Sequence, residues 1–182
     1  MSRIEVLKTY KIFIGWQFPR TESGRFYTLY DKSKNSIANM CLSSRKDYRN
    51  AVVAARSAQG GWAGKSAFNR GQILYRIAEM LEGRKDQFVN ELVQQGATKK
   101  QAEAEVMLSI DRCVYYAGWC DKYQQVFSSV NPVASSHFNF SVPEPMGVVA
   151  ILADENTSLI GLVSAVLPVI ALNARGSFRD AE

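Results

Sequence analysis

Gly147-Val-Val-Ala-Ile-Leu152, Ala153-Asp-Glu-Asn-Thr-Ser158 and the apolar run Leu159 to Leu172 follow one another without a break. The first segment is continuously apolar and rich in β-branched residues, the type of strand buried on both faces of a parallel sheet. The second is a polar loop. The third carries helical composition, interrupted by Gly161, Ser164 and Pro168, and is too short to span a bilayer, so it reads as a buried helix. Strand, loop and helix make half of a βαβ unit. Such a unit needs a second strand to close its sheet. The chain runs on only through Asn173-Ala-Arg-Gly-Ser-Phe-Arg-Asp-Ala-Glu182, so the pattern predicts a truncated α/β sheet.

Upstream, the pattern turns polar. His137-Phe-Asn-Phe-Ser-Val142 alternates polar and apolar residues as an exposed strand does, and Pro143 and Pro145 end it. Residues 128–136 read as a loop around Asn131-Pro132. Before them lies a helical region. Thr98 and Gln101 form a capping-box pair that opens a long helix with Ala102, Val106, Ile110, Cys113, Ala117 and Cys120 on one seam, continuing to about Val126. A shorter helix from about Lys85 to Gln95 turns Phe88, Val89, Leu92 and Val93 inward and stops at Gly96. Ser66 opens another, with Ile73, Leu74, Ile77, Ala78 and Leu81 as its stripe and Gly83 at its end. Ser44 with Asp47 caps a first helix whose predicted inner face is Tyr48, Val52, Ala55 and Ala58, ended by Gly60-Gly61.

The N-terminal stretch looks β. Tyr10-Lys-Ile-Phe-Ile14 and Phe26-Tyr-Thr-Leu-Tyr30 are apolar-rich runs separated by Pro19 and Ser23-Gly24, which predicts a hairpin or a pair of short strands. Ile37 to Cys41 adds a third.

Composition narrows the function. With 182 residues, 47% hydrophobic and 21% charged, the chain can build a globular core. Its net charge of +5 is not gathered into a recognition helix, so nucleic acid is not expected as a partner. No membrane partner is expected either. Cys41, Cys113 and Cys120 lack C-x-x-C spacing, and His137 is the only histidine, so no metal site is expected. Three cysteines without a signal segment fit a reducing cytoplasm, and the expected localisation is cytoplasmic.

Several segments, in order, resemble the aldehyde dehydrogenase superfamily. Tyr10-Lys-Ile-Phe-Ile-Gly15 looks like its N-terminal strand, and Val52-Val-Ala-Ala-Arg56 with Trp62 like its first helix. Arg70-Gly-Gln-Ile-Leu-Tyr-Arg-Ile-Ala78 resembles the following helix. Tyr115-Tyr-Ala-Gly-Trp-Cys-Asp-Lys122 is similar to the family's YYAGWADK segment and is the most specific, and Glu144-Pro-Met-Gly-Val-Val149 resembles EPvGVV. Where the family has Pro-Trp-Asn-Phe-Pro, this chain reads Asp154-Glu-Asn-Thr-Ser158, which looks like the second, degenerate unit of family 16 aldehyde dehydrogenases.

The resemblance implies an α/β fold consisting of the N-terminal part of the aldehyde dehydrogenase fold. Residues 1–127 would be strands and helices of the cofactor-binding domain, 128–145 an oligomerisation arm, 146–172 the first strand-loop-helix of a Rossmann-like sheet, and 173–182 a tail outside the family pattern. Family members oxidise aldehydes with NAD(P), using a cysteine nucleophile and a glutamate base. An asparagine side chain helps hold the oxyanion, and such a donor contributes about 3 kcal/mol. Asn156 matches it by position, and Leu152, Ala153 and Glu155 fall by position at the cofactor. Asp154 and Glu155 would destabilise a developing alkoxide, so Asn156 reads as vestigial. The nucleophile, base and cofactor loop are absent from these 182 residues. The expectation is therefore a family fragment inactive alone and not binding NAD(P) by itself. The alternative is a non-catalytic pseudoenzyme or assembly module. The expected partner is a second copy (a homo-oligomer) or a dehydrogenase subunit.

Overall fold

The computed structural model describes residues 6–30, 33–153 and 157–173, which divide into two compact units, Met1–Gln59 and Gly60–Glu182.

In the first unit, β1 (Thr9–Tyr10), β2 (Phe26–Tyr30) and β3 (Ser36–Cys41) form one sheet in the order β1-β3-β2. Of the hairpin or pair of short strands expected, the hairpin does not form: β1 and β2 are short strands separated by β3. β3 is central, parallel to β1 and antiparallel to β2, with Thr28 opposite Asn39 and their side chains bonded at 2.9 Å. The reason lies just after β1. A two-residue reversal at Gly15-Trp16 closes Ile14 on Gln17 through two backbone bonds of 3.0 and 3.1 Å, so Ile14 pairs locally and the chain turns before it can run alongside β2.

Helix α1 (Arg45–Ala63) begins as its capping pair predicts. The Ser44 amide donates to Asp47 Oδ2 at 2.8 Å and the Asp47 amide to Ser44 Oγ at 3.3 Å. Asp47 also accepts from the Thr21 hydroxyl at 2.5 Å and the Glu22 amide at 3.1 Å. These bonds bury Asp47 and set the phase of the helix. Ala51, Val52 and Ala54 therefore turn inward, whereas Tyr48, Ala55 and Ala58 of the predicted face are exposed. The Thr21 bond, then the Ser44 amide, hold the Asp47 carboxyl down to about 2 against the opposing effect of burial. The helix does not stop at Gly60-Gly61. Neither glycine takes a positive φ, and the helix ends only after Ala63.

The second unit is a helical layer. α2 (Ala67–Gly83) is capped by Ser66 Oγ, which accepts from the Asn69 amide. α3 (Lys85–Gln94) ends in a Schellman motif: Ala97 N donates to Leu92 O and Gly96 N to Val93 O, with Gly96 at φ +103. α4 (Lys99–Trp119) opens on a complete Thr98–Gln101 capping box, and the short α5 (Tyr123–Phe127) follows it. α6 (Ser158–Leu172) carries Pro168 inside its last turns. The seam foreseen on α4 is the core as far as Cys120, but its expected continuation to Val126 fails, because α4 ends at Trp119 and Val126 is exposed. Ala102, Val106, Ile110, Cys113 and Cys120 pack with Leu74 and Ala78 of α2, Val89 and Leu92 of α3, and Leu167 and Ala171 of α6. Trp62 ties the end of α1 into this unit by donating to Ile170 O at 3.0 Å.

The arm folds on itself. β4 (Ser129–Val130) pairs antiparallel with β5 (Phe140–Ser141), and Asn131 N donates to Asn139 O at 2.8 Å. Thus the strand in 137–142 is shorter than expected, and part of the expected loop is its partner. Residues 147–152 form no strand. A strand exists only against a neighbour, and none of the described residues supplies one. Val148 and Val149 are partly exposed and Leu152 is 100% exposed, so the expected burial on both faces is not realised.

Candidate functional site

The loop between Leu152 and α6 is where the family pattern places its chemistry. Asn156 and Glu155 lie outside the described residues. The other two candidates flank them: the Leu152 side chain stands wholly in solvent and Ala153 is exposed. Two clamps fix what surrounds the loop. Asn173, the residue that caps the end of α6, takes both backbone groups of Gly147. Its Oδ1 accepts from Gly147 N at 3.2 Å and its Nδ2 donates to Gly147 O. Gly147 sits at φ +103, where a side chain would be strained. At the other end, Thr157 gives α6 no side-chain cap, and Glu105 of α4 acts instead: its Oε1 accepts from Ile160 N at 3.0 Å. A carboxylate at a helix N-terminus is favourable, since it meets unpaired N–H groups and the positive end of the helix dipole. The Ser109 hydroxyl donates to the Glu105 carbonyl at 2.8 Å, bracing the same turn of α4.

The thiols are held away from chemistry. Burial pushes the Cys113 thiol up. Burial likewise pushes the Cys120 thiol up, with the Arg70 cation opposing it. Thiolate is the nucleophilic form, so both shifts lower reactivity. Cys41 lies half-buried in β3 of the first unit. Among the described residues no three of His, Cys, Asp and Glu gather as a metal site.

Arg70 is the least expected polar residue. It is 2% exposed, and its guanidinium donates to Lys65 O at 2.5 Å and Cys120 O at 3.4 Å, while Nε has no partner. Those carbonyls follow the ends of α1 and α4, so the cation sits between two negative helix ends rather than beside a carboxylate. Sequence reasoning placed Arg70 in a motif without giving it a role, and found neither Glu105 nor Asn173. The Arg70 motif and the position of Asn173 after an apolar helix were usable signals. Nothing in the spacing marks Glu105.

The aldehyde dehydrogenase family model matches residues 18–175. The chain belongs to the aldehyde dehydrogenase family. It is similar to human mitochondrial 10-formyltetrahydrofolate dehydrogenase, at 31% identity over 89% of this chain and 18% of that protein. Among solved structures it resembles a Bacillus cereus aldehyde dehydrogenase, with a TM-score of 0.85 at 24% identity, over 92% of this chain and 34% of the other. A Corynebacterium glutamicum NAD-dependent benzaldehyde dehydrogenase superposes with a TM-score of 0.81 at 27% identity, over 91% and 36%. The chain thus spans about a fifth of the first relative and about a third of the solved chains, and what it matches is the N-terminal portion of the fold.

The family's cofactor is NAD(P). Leu152 and Ala153 offer no side-chain donor. The first-turn amide of α6 at Ile160 is already taken by a carboxylate, which would repel a phosphate there. No helix among the described residues is long and apolar enough to cross a membrane.

Proposed function

We propose that this chain supplies the N-terminal helical layer of an aldehyde dehydrogenase fold and, as a 182-residue polypeptide, neither oxidises aldehydes nor retains NAD(P). The observation that carries this reading is the state of its thiols: Cys113 and Cys120 are buried and held protonated in the packed seam of α4. In this reading Asn156 keeps the position of an oxyanion donor without its use, beside Asp154 and Glu155. That loop also supports likeness to the degenerate unit of family 16. Residues 128–145 act as an assembly arm, and 146–172 would complete the first strand-loop-helix of the sheet only once a neighbouring strand is supplied to 147–152. The test is NADH formation at 340 nm by purified chain with NAD+ and a panel of aldehydes. The reading expects no turnover above a buffer control, and sustained turnover by clean protein overturns it.

A second reading has a specific observation in its favour. The 148–152 segment exposes apolar side chains and forms no strand, which suits an assembly module that joins a second copy or a dehydrogenase subunit. Sedimentation of a stable monomer that also fails to bind a family dehydrogenase removes it.

A further inference from the structure

The most exposed aromatic cluster lies at the tip of the reversal after β1. Trp16 is 91% exposed, Phe13 57% and Phe18 64%. Phe13 stacks edge-on against Trp16, ring centroids 6.3 Å apart, and lies 5.0 Å from Phe18. Gly15 and Trp16, the two central residues of the turn, have φ +57 and +67. Two-residue turns with positive φ at both positions favour Gly, Asn or Asp, and a bulky side chain there is strained. Trp16 is thus a costly residue at a position where it makes almost no contact beyond Phe13. Strain without a packing return points to a role outside the fold.

The charge is arranged to match. Residues 1–59 hold eleven Lys and Arg against four Asp and Glu, a formal +7, while residues 60–182 hold eleven against thirteen, −2. Lys11 and Arg20 flank the aromatic trio in sequence. Both are exposed, and neither has an ion-pair partner among the described residues.

We propose that the hairpin tip of residues 13–18 docks this chain on an anionic lipid surface, with Trp16, Phe13 and Phe18 entering the interface and Lys11 and Arg20 meeting the headgroups. Aromatic rings with one wet edge settle at the level of lipid headgroups, and basic residues nearby are drawn to the negative leaflet. Composition alone gave no membrane partner, because it showed no spanning segment. Surface docking requires none. The inference is independent of whether the chain catalyses.

The test is flotation of the 182-residue chain with vesicles of phosphatidylcholine alone and of an equimolar phosphatidylcholine–phosphatidylserine mixture, at low and high salt. The expected result is salt-sensitive binding to the anionic vesicles only. Trp16→Gly should weaken it by about tenfold without lowering the melting midpoint, because glycine suits the turn better than tryptophan. The pair Lys11→Glu and Arg20→Glu should weaken it by a similar factor. The proposal is overturned by no binding to either vesicle, by binding that survives both variants, or by a tip that instead retains single-stranded DNA or an acidic protein and ignores lipid.

Discussion

Replacing Arg70 by alanine should be among the most destabilising single changes in the second unit. The guanidinium is buried and bridges Lys65 O and Cys120 O, tying the turn after α1 to the end of α4. A hydrogen bond from a charged donor contributes roughly 1.5–3 kcal/mol. The 3.4 Å bond to Cys120 O contributes less than the bond to Lys65 O. Truncation also leaves a cavity. Against these stands the cost of burying a cation whose Nε is unpaired. The net expectation for Arg70→Ala is a loss of about 3 kcal/mol. Arg70→Met keeps the volume and removes the unpaired charge, so its loss should be smaller, about 1–2 kcal/mol. Urea unfolding followed by circular dichroism at 222 nm measures both. A loss below about 1 kcal/mol for Arg70→Ala, with an unchanged m-value, would refute the idea that a cation between two helix ends holds these elements together.

Three further outcomes follow from single contacts. Because the Asp47 carboxyl is held at about 2, below its ordinary 3.8, its contribution to stability is fully present above roughly pH 5 and is lost as the pH falls through 2. The Asp47→Asn variant should therefore melt lower than the parent near neutrality and converge with it in acid. Glu105→Ala should free the Ile160 amide and cost about 1 kcal/mol, seen as faster hydrogen exchange in the first turn of α6 while α2 stays protected. Leu167→Ala, at a position 4% exposed between α6 and the α4 seam, should cost about 2–5 kcal/mol in the same urea assay.

Much of the helical layer was legible because its signals are local. Ser66, Thr98 with Gln101, and Gly96 each act within a few residues, and the α4 seam follows from helical spacing alone. Errors arose where a distant partner decided. The phase of α1 is set by Thr21 and Glu22 reaching Asp47, which left Tyr48 outside. Its length is decided by residues beyond the two glycines, where Trp62 finds Ile170. Residues 147–152 have a strand's composition, yet an apolar pattern cannot supply the neighbouring strand. The same limit applies to the candidate site. Position in a motif could nominate Leu152, Ala153, Glu155 and Asn156, and the helix end could nominate Asn173 as a cap but not its partner Gly147 26 residues away, while Glu105 touches the region from 55 residues away, where no spacing rule reaches.

The central proposal is that Cys113 and Cys120 of this aldehyde dehydrogenase-family chain are not reactive nucleophiles. Iodoacetamide labelling of each cysteine at neutral pH, read by mass spectrometry with and without an aldehyde, tests it most directly. The account predicts that Cys113 and Cys120 stay unlabelled until the protein unfolds, and that aldehyde changes nothing. Rapid labelling of either thiol in the folded chain, blocked by aldehyde, would contradict it.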